Sequence, residues 1–176
     1  MNAFKHFKII TKHKMLVMKG CFCLGLYRQG ILHDLSKYSP SEFLTGIKYF
    51  QGTRSPNNGE REVLGYSGAW LHHKGRNKHH YEYWIDYSCK DGTCLVPVPM
   101  PTKYVVEMFV DRVAASKVYN KKTYSEKDPL NYYLWGKETA PMHEATKKQL
   151  EELLEMLADV GEKKTYEYIR KKILHN

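Results

Sequence analysis

The chain has 176 residues, enough for one domain with its own core. A hydrophobic content of 42% and a charged content of 27% exclude a disordered or fibrous protein. Lys and Arg number 28 against 19 Asp and Glu, a net charge of +9 that favours anionic partners.

The N-terminal stretch MNAFKHFKIITKHKMLVMKGCFCLGLY is basic, then apolar. Lys12, Lys14 and Lys19 interrupt the apolar part, and no small-residue cleavage site follows. It reads as a retained amphipathic helix rather than a signal peptide, which implies a cytoplasmic protein. No apolar run approaches the roughly 18 residues that cross a bilayer. The spacing of Phe7, Ile10, Val17, Cys21 and Leu24 predicts a helix over 3–28, closed by Gly30, and His13 shares that stripe. A short helix around 31–37 then carries the adjacent His33 and Asp34. SPSE at 39–42 has the pattern of a capping box, with Ser39 as N-cap, Pro40 in the first turn and Glu42 three residues on. It predicts a helix to about Gln51, and GTRSPNNG, 52–59, reads as a loop.

A long helical region is predicted over 60–87, interrupted, if anywhere, at Gly75. The segment CKDGTCLVPVPMP is irregular with a small hairpin, Pro101 opens a helix to about Tyr119, and Asp128 with Pro129 caps and starts a shorter one. The last third reads as two helices split near Gly161. The expectation is one all-α domain over 1–176, with its chemistry in about 10–115 and the helices of about 128–175 packed on it. Cys21, Cys23, Cys89 and Cys94 lack the tight paired spacing of a zinc site and read as reduced thiols. The lysines are dispersed in pairs, and no nucleic-acid-binding motif accompanies them.

Two stretches carry chemistry. In GILHDLSKYSPSEF, His33 and Asp34 offer an imidazole nitrogen and a carboxylate oxygen, a donor set for divalent transition metals. Lys37 follows, placed to meet an anion. On the helix KYVVEMFVDRVAASKVY, Asp111 lies among apolar residues and needs a partner there. Glu107 sits one turn before it on the same side, able to orient a ligand or to accept a second metal. In WLHHKGRNKHHYEYW, a continuous helix would align Tyr66, Trp70, His73, Asn77, His80, Trp84 and Tyr87 on one face, with His72, Arg76 and His79 on another. His73 and His80 are the candidate ligands by face, although seven helical residues separate them by about 10.5 Å. His79 is the alternative if the chain bends at Gly75.

The order His13, His33–Asp34, Asp111 resembles the HD-domain superfamily of metal-dependent phosphohydrolases. The resemblance implies an HD-like helical fold in which these residues hold one metal. HDLSK is similar to the HD-x-G-K form of the dinuclear branches, the HD-GYP phosphodiesterases and the di-iron oxygenases, with Ser36 in place of glycine. In those branches the lysine contacts substrate and two further histidines serve a second ion. No GYP signature is present.

The chain also resembles a family of bacterial and phage proteins of unknown function that share HDLSK-x-S-x-x-EF, HH-x(3)-N-x-HH-x(3)-W and MP-x(5)-EM-x(2)-D. These motifs occupy 33–43, 72–84 and 100–111. Some of those proteins are labelled catalase, but no haem-binding motif is present here and no haem is expected.

The resulting expectation is a phosphohydrolase of a small phosphorylated substrate, using one or two Mn, Fe, Ni, Co or Zn ions. His13, His33, Asp34, Asp111, His73 and His80 are its metal ligands. Asp34 and Lys37 are its catalytic groups, and Lys37, Arg76, Asn77 and His79 its substrate contacts. Glu107 stands behind the ligands. A di-iron oxygenase and a non-catalytic module that binds nucleotide or protein are the alternatives.

Overall fold

Helix α1 (Asn2–Cys23) buries His6, Ile10, His13, Val17 and Cys21, a stripe at helical spacing. Phe7, predicted to face inward, is exposed, and the buried ring in that turn is His6. The predicted helix over 3–28 stops at Cys23 because Gly25 takes a left-handed conformation (φ 77°). Helix α2 (Tyr27–Leu32) follows, and the chain then turns through His33 and Asp34 into a short 3-10 turn, Leu35–Tyr38. These positions come from a computed structural model that describes residues 2–88, 92 and 94–174.

Helix α3 (Pro40–Lys48) starts at Pro40 with Ser39 as N-cap, but the Ser39 side chain makes no capping bond. Two expectations fail between 52 and 87. The segment 52–59 is not all loop, since α4 (Pro56–Leu64) begins inside it, capped by the Ser55 side chain on Asn57 N–H. The region 60–87 is not one helix. Gly65 closes α4 at φ 80°, Ser67 caps α5 (Gly68–Lys74) by accepting from Trp70 N–H, and α5 ends at Gly75. A 3-10 turn (Tyr81–Trp84) leads into strand β1 (Ile85–Tyr87), which pairs antiparallel with β2 (Leu95–Pro97), Asp86 facing Val96. The hairpin expected around CKDGTC is thus present in its strands. Cys21, Cys23 and Cys94 are free thiols, and Cys89 lies outside the described residues.

Helix α6 (Thr102–Asn120) is the central element. Its buried run Val105–Val110 is apolar almost all round, which marks a core helix. Helix α7 (Asp128–Gly136) starts at Asp128 itself, whose carboxylate accepts from Ser125 N–H, so the residue caps the turn before the helix rather than the helix. Helix α8 (Glu144–Tyr168) bends at Gly161 (φ 83°, ψ 167°) and continues into a wider turn, Ile169–Ile173. The fold is all-α apart from the β1–β2 ribbon. Its core joins Val17 and Cys21 of α1, Phe109 and Val113 of α6, and Leu150, Leu154 and Leu157 of α8. No helix among the described residues is long and apolar enough to cross a membrane.

Candidate metal centre

The His33–Asp34 pair is not helical. His33 ends α2 and Asp34 is left-handed (φ 55°), a conformation Asp tolerates better than most residues. That twist aims the carboxylate inward. Lys14 fastens the turn to α1, donating to the carbonyls of Ile31 (2.7 Å) and His33 (2.8 Å) at the carbonyl end of α2.

Four stretches of chain meet at Asp34. From one side, His13 Nε2 lies 2.8 Å from Asp111 Oδ1 and 3.6 Å from Asp34 Oδ2. His33 Nε2 lies 3.3 Å from Asp34 Oδ2, 3.5 Å from Asp111 Oδ1 and 3.5 Å from His13 Nε2. From the other side, His73 Nε2 is 3.2 Å and His79 Nε2 3.4 Å from Asp34 Oδ1. The His80 ring lies 4.1 Å from that of His79 and 4.8 Å from that of His73, centre to centre. The donor atoms of His13, His33, Asp34 and Asp111, and those of Asp34, His73, His79 and His80, each lie within 4.8 Å of one another.

These groups can hold metal ions. Donors bound at about 2.0–2.2 Å to one ion sit about 3–3.5 Å apart, close to the spacing found. Asp34 Oδ1 and the Nε2 atoms of His73, His79 and His80 are buried and make no hydrogen bond. Such orphaned atoms are costly unless a ligand satisfies them. The separation of His73 and His80 along a continuous helix does not arise, because α5 ends at Lys74 and the chain folds back. His79, predicted as a substrate contact and as the alternative ligand, joins His73 and His80 around Asp34.

Two carboxylates stand behind the imidazoles. Glu107 Oε1 accepts from His33 Nδ1 (3.0 Å) and His79 Nδ1 (3.1 Å). Glu42 accepts from His72 Nδ1 (2.6 Å) through one oxygen and from His73 Nδ1 (2.8 Å) through the other. With Nδ1 donating to the carboxylates, Nε2 is the nitrogen that His33, His73 and His79 turn toward Asp34, the arrangement that metal-ligating histidines use. Glu42 does not close the predicted capping box, because the buried imidazoles outcompete the backbone N–H for it. A signal for this role does exist in the sequence: Glu42 lies in the same HDLSKYSPSEF segment as His33 and Asp34.

The remaining predicted residues take other places. Lys37 Nζ lies 2.6 Å from Asp34 Oδ2, an ion pair at the partly exposed edge of the cluster. Asn77 donates to Ser36 Oγ (2.9 Å) and to the His73 carbonyl (2.8 Å), so it braces the turn that carries His73. Arg76 is exposed and donates to the His72 carbonyl.

Burial opposes the charge on Asp34, but His33, Lys37 and His73 hold its carboxyl well below the usual range. Burial likewise opposes Asp111, and its bonds to His13 and His33 hold it low. Burial, with His79 and His73 beside it, pushes His80 well down and leaves it a neutral donor. Burial and Lys37 lower His13. His33 goes the other way: burial would lower it, but Asp34, Asp111 and Glu107 raise it. Burial would also lower His73, but Asp34 and Glu42 raise it. The buried carboxylates thus stay ionised and draw positive charge to His33 and His73.

Residues 2–156 match the model of a family described as "Family of unknown function (DUF5662)". The chain belongs to the DUF5662 family. No curated protein and no solved structure matches it. All the clustered residues of this DUF5662 chain, from His13 to Asp111, lie inside the matched span.

Proposed function

We propose that the protein is a metal-dependent phosphohydrolase built on an HD-like two-ion centre. One observation carries the reading: the two oxygens of the buried Asp34 carboxylate face separate sets of imidazole Nε2 atoms. His13, His33, Asp34 and Asp111 would hold one ion, and Asp34, His73, His79 and His80 the other. Bound divalent ions supply Lewis acidity toward a phosphoryl oxygen and a water acidic enough to attack at neutral pH. Glu107 and Glu42 fix the ring orientations. Lys37, at the partly exposed edge, offers its ammonium to the phosphate and offsets charge that develops there. The basic surface draws anionic substrates toward the chain.

The test is elemental mass spectrometry of the purified protein beside His33→Ala/Asp34→Ala and His73→Ala/His80→Ala variants, followed by a panel of phosphate esters. The expected result is two transition-metal equivalents, reduced in each variant, with ester hydrolysis that depends on metal and on Lys37. Two irons with oxygen-dependent turnover would replace this reading by an oxygenase. Absence of metal after reconstitution would leave a non-catalytic binding module.

A further inference from the structure

Helix α1 is apolar on two sides. His6, Ile10, His13 and Val17 face the core. On the opposite side Phe4, Phe7, Met15 and Phe22 fall within about 80° of one another around the helix axis. They are 73%, 46%, 51% and 38% exposed, a row of large apolar side chains left in contact with water. Thr11 and the half-buried Met18 complete the row. Phe4 and Phe22 lie five turns apart, about 27 Å along α1. Tyr27, also exposed, stands with its ring 5.3 Å from that of Phe22 and prolongs the row into α2.

One flank of the row is basic. Lys5, Lys8, Lys12 and Lys19 occupy about the next 60° of the same helix. All four are exposed, and among the described residues none of them forms an ion pair. No Asp or Glu precedes Asp34 in the chain, and Asp34 is buried, so nothing acidic on α1 or α2 offsets the lysines. This composition selects the occupant. The cores of protein interfaces are poor in lysine, whereas helices that lie on membranes set lysine beside Phe and other large apolar residues. Nucleic-acid phosphates would meet the lysines but leave the phenyl rings in water. A second copy would bring an identical lysine row against this one.

We infer that α1 docks the protein on an anionic lipid bilayer, lying in the plane of the surface with Phe4, Phe7, Met15 and Phe22 in the boundary between headgroups and acyl chains and Lys5, Lys8, Lys12 and Lys19 on lipid phosphates. The helix lies on the bilayer and does not cross it. His13 faces the other way, so the inference stands independently of the metal centre.

The test is co-sedimentation of the full chain with vesicles of phosphatidylcholine alone and of phosphatidylcholine and phosphatidylglycerol in equal parts. The mixed vesicles should bind it at least about tenfold more tightly, and added salt should weaken the binding. Phe4→Ser/Phe22→Ser, which keeps the charge, should lower the affinity at least about tenfold. Lys5→Glu/Lys12→Glu should do the same. Lys103→Glu/Lys122→Glu, an equal charge change at exposed positions outside α1, should leave it within about twofold of wild type. All the substituted side chains are exposed, and circular dichroism of each variant should match wild type. No vesicle binding would overturn the inference, as would an equal loss in the two lysine variants. So would full binding by Phe4→Ser/Phe22→Ser, which would reduce the contact to charge alone. A dimer in solution that Phe4→Ser/Phe22→Ser disperses would assign the row to a second copy instead, and would also overturn it.

Discussion

Glu107→Gln is the most informative single change at the centre. One oxygen of Glu107 accepts from His33 on the first ligand set and from His79 on the second. Glutamine keeps the shape and one acceptor oxygen but loses the charge. Hydrogen bonds to a charged group exceed neutral ones by about 1 kcal/mol, so each ring loses about that much. That alone is about a fivefold loss of affinity for each ion. Loss of a negative charge behind both rings adds to it, and outer-sphere substitutions at metal sites cost about 10–100-fold. Both ions should therefore bind about tenfold or more weakly, measured by competition with a chromophoric chelator, in a variant whose circular dichroism is unchanged. Weakening confined to one ion, or wild-type affinity at both, would refute the shared role of Glu107.

Glu42→Ala should weaken the ion held by His73 and spare the one held by His13 and Asp111, because Glu42 holds only the rings of His72 and His73; the same chelator competition resolves the two. Gly161→Ala should cost about 1–3 kcal/mol, since φ 83° and ψ 167° suit glycine alone and an added Cβ would meet Glu126 Oε2 at 2.9 Å; thermal unfolding measures it. His6 is packed against Phe43 and Gly46, and burial, with Lys37, lowers its pKa below the ordinary value of 6.5. The unfolded chain then binds the proton more readily, so stability present above pH 6.5 is lost as pH falls toward the lowered value. Denaturant titrations of wild type and His6→Leu across that range should show a smaller loss in the variant.

Much of the architecture is legible in local pattern. The stripe of α1, the start of α6 after Pro101 and the bend at Gly161 all follow from spacing and from glycine or proline chemistry. The segment 60–87 is not, because its histidines and aromatics happen to recur at helical spacing. Gly65, the Ser67 cap and Gly75 break the helix there, and each is a single-residue signal that a periodic pattern masks. The left-handed turn at Asp34 is hidden for a related reason: it is held by Lys14 and by imidazoles remote in sequence. Local pattern pairs Glu42 with the backbone, whereas its partners lie 30 and 31 residues away.

The way the centre is assembled also bears on how the chain folds. His33 and Glu107 are 74 residues apart, and His13 on α1 and His33 in the turn after α2 lie 20 apart. No fragment short of residues 13–111 contains the complete ligand set. The site can therefore form only once α1 and α6 have docked, and an ion bound there would tie the two helices together in the native state.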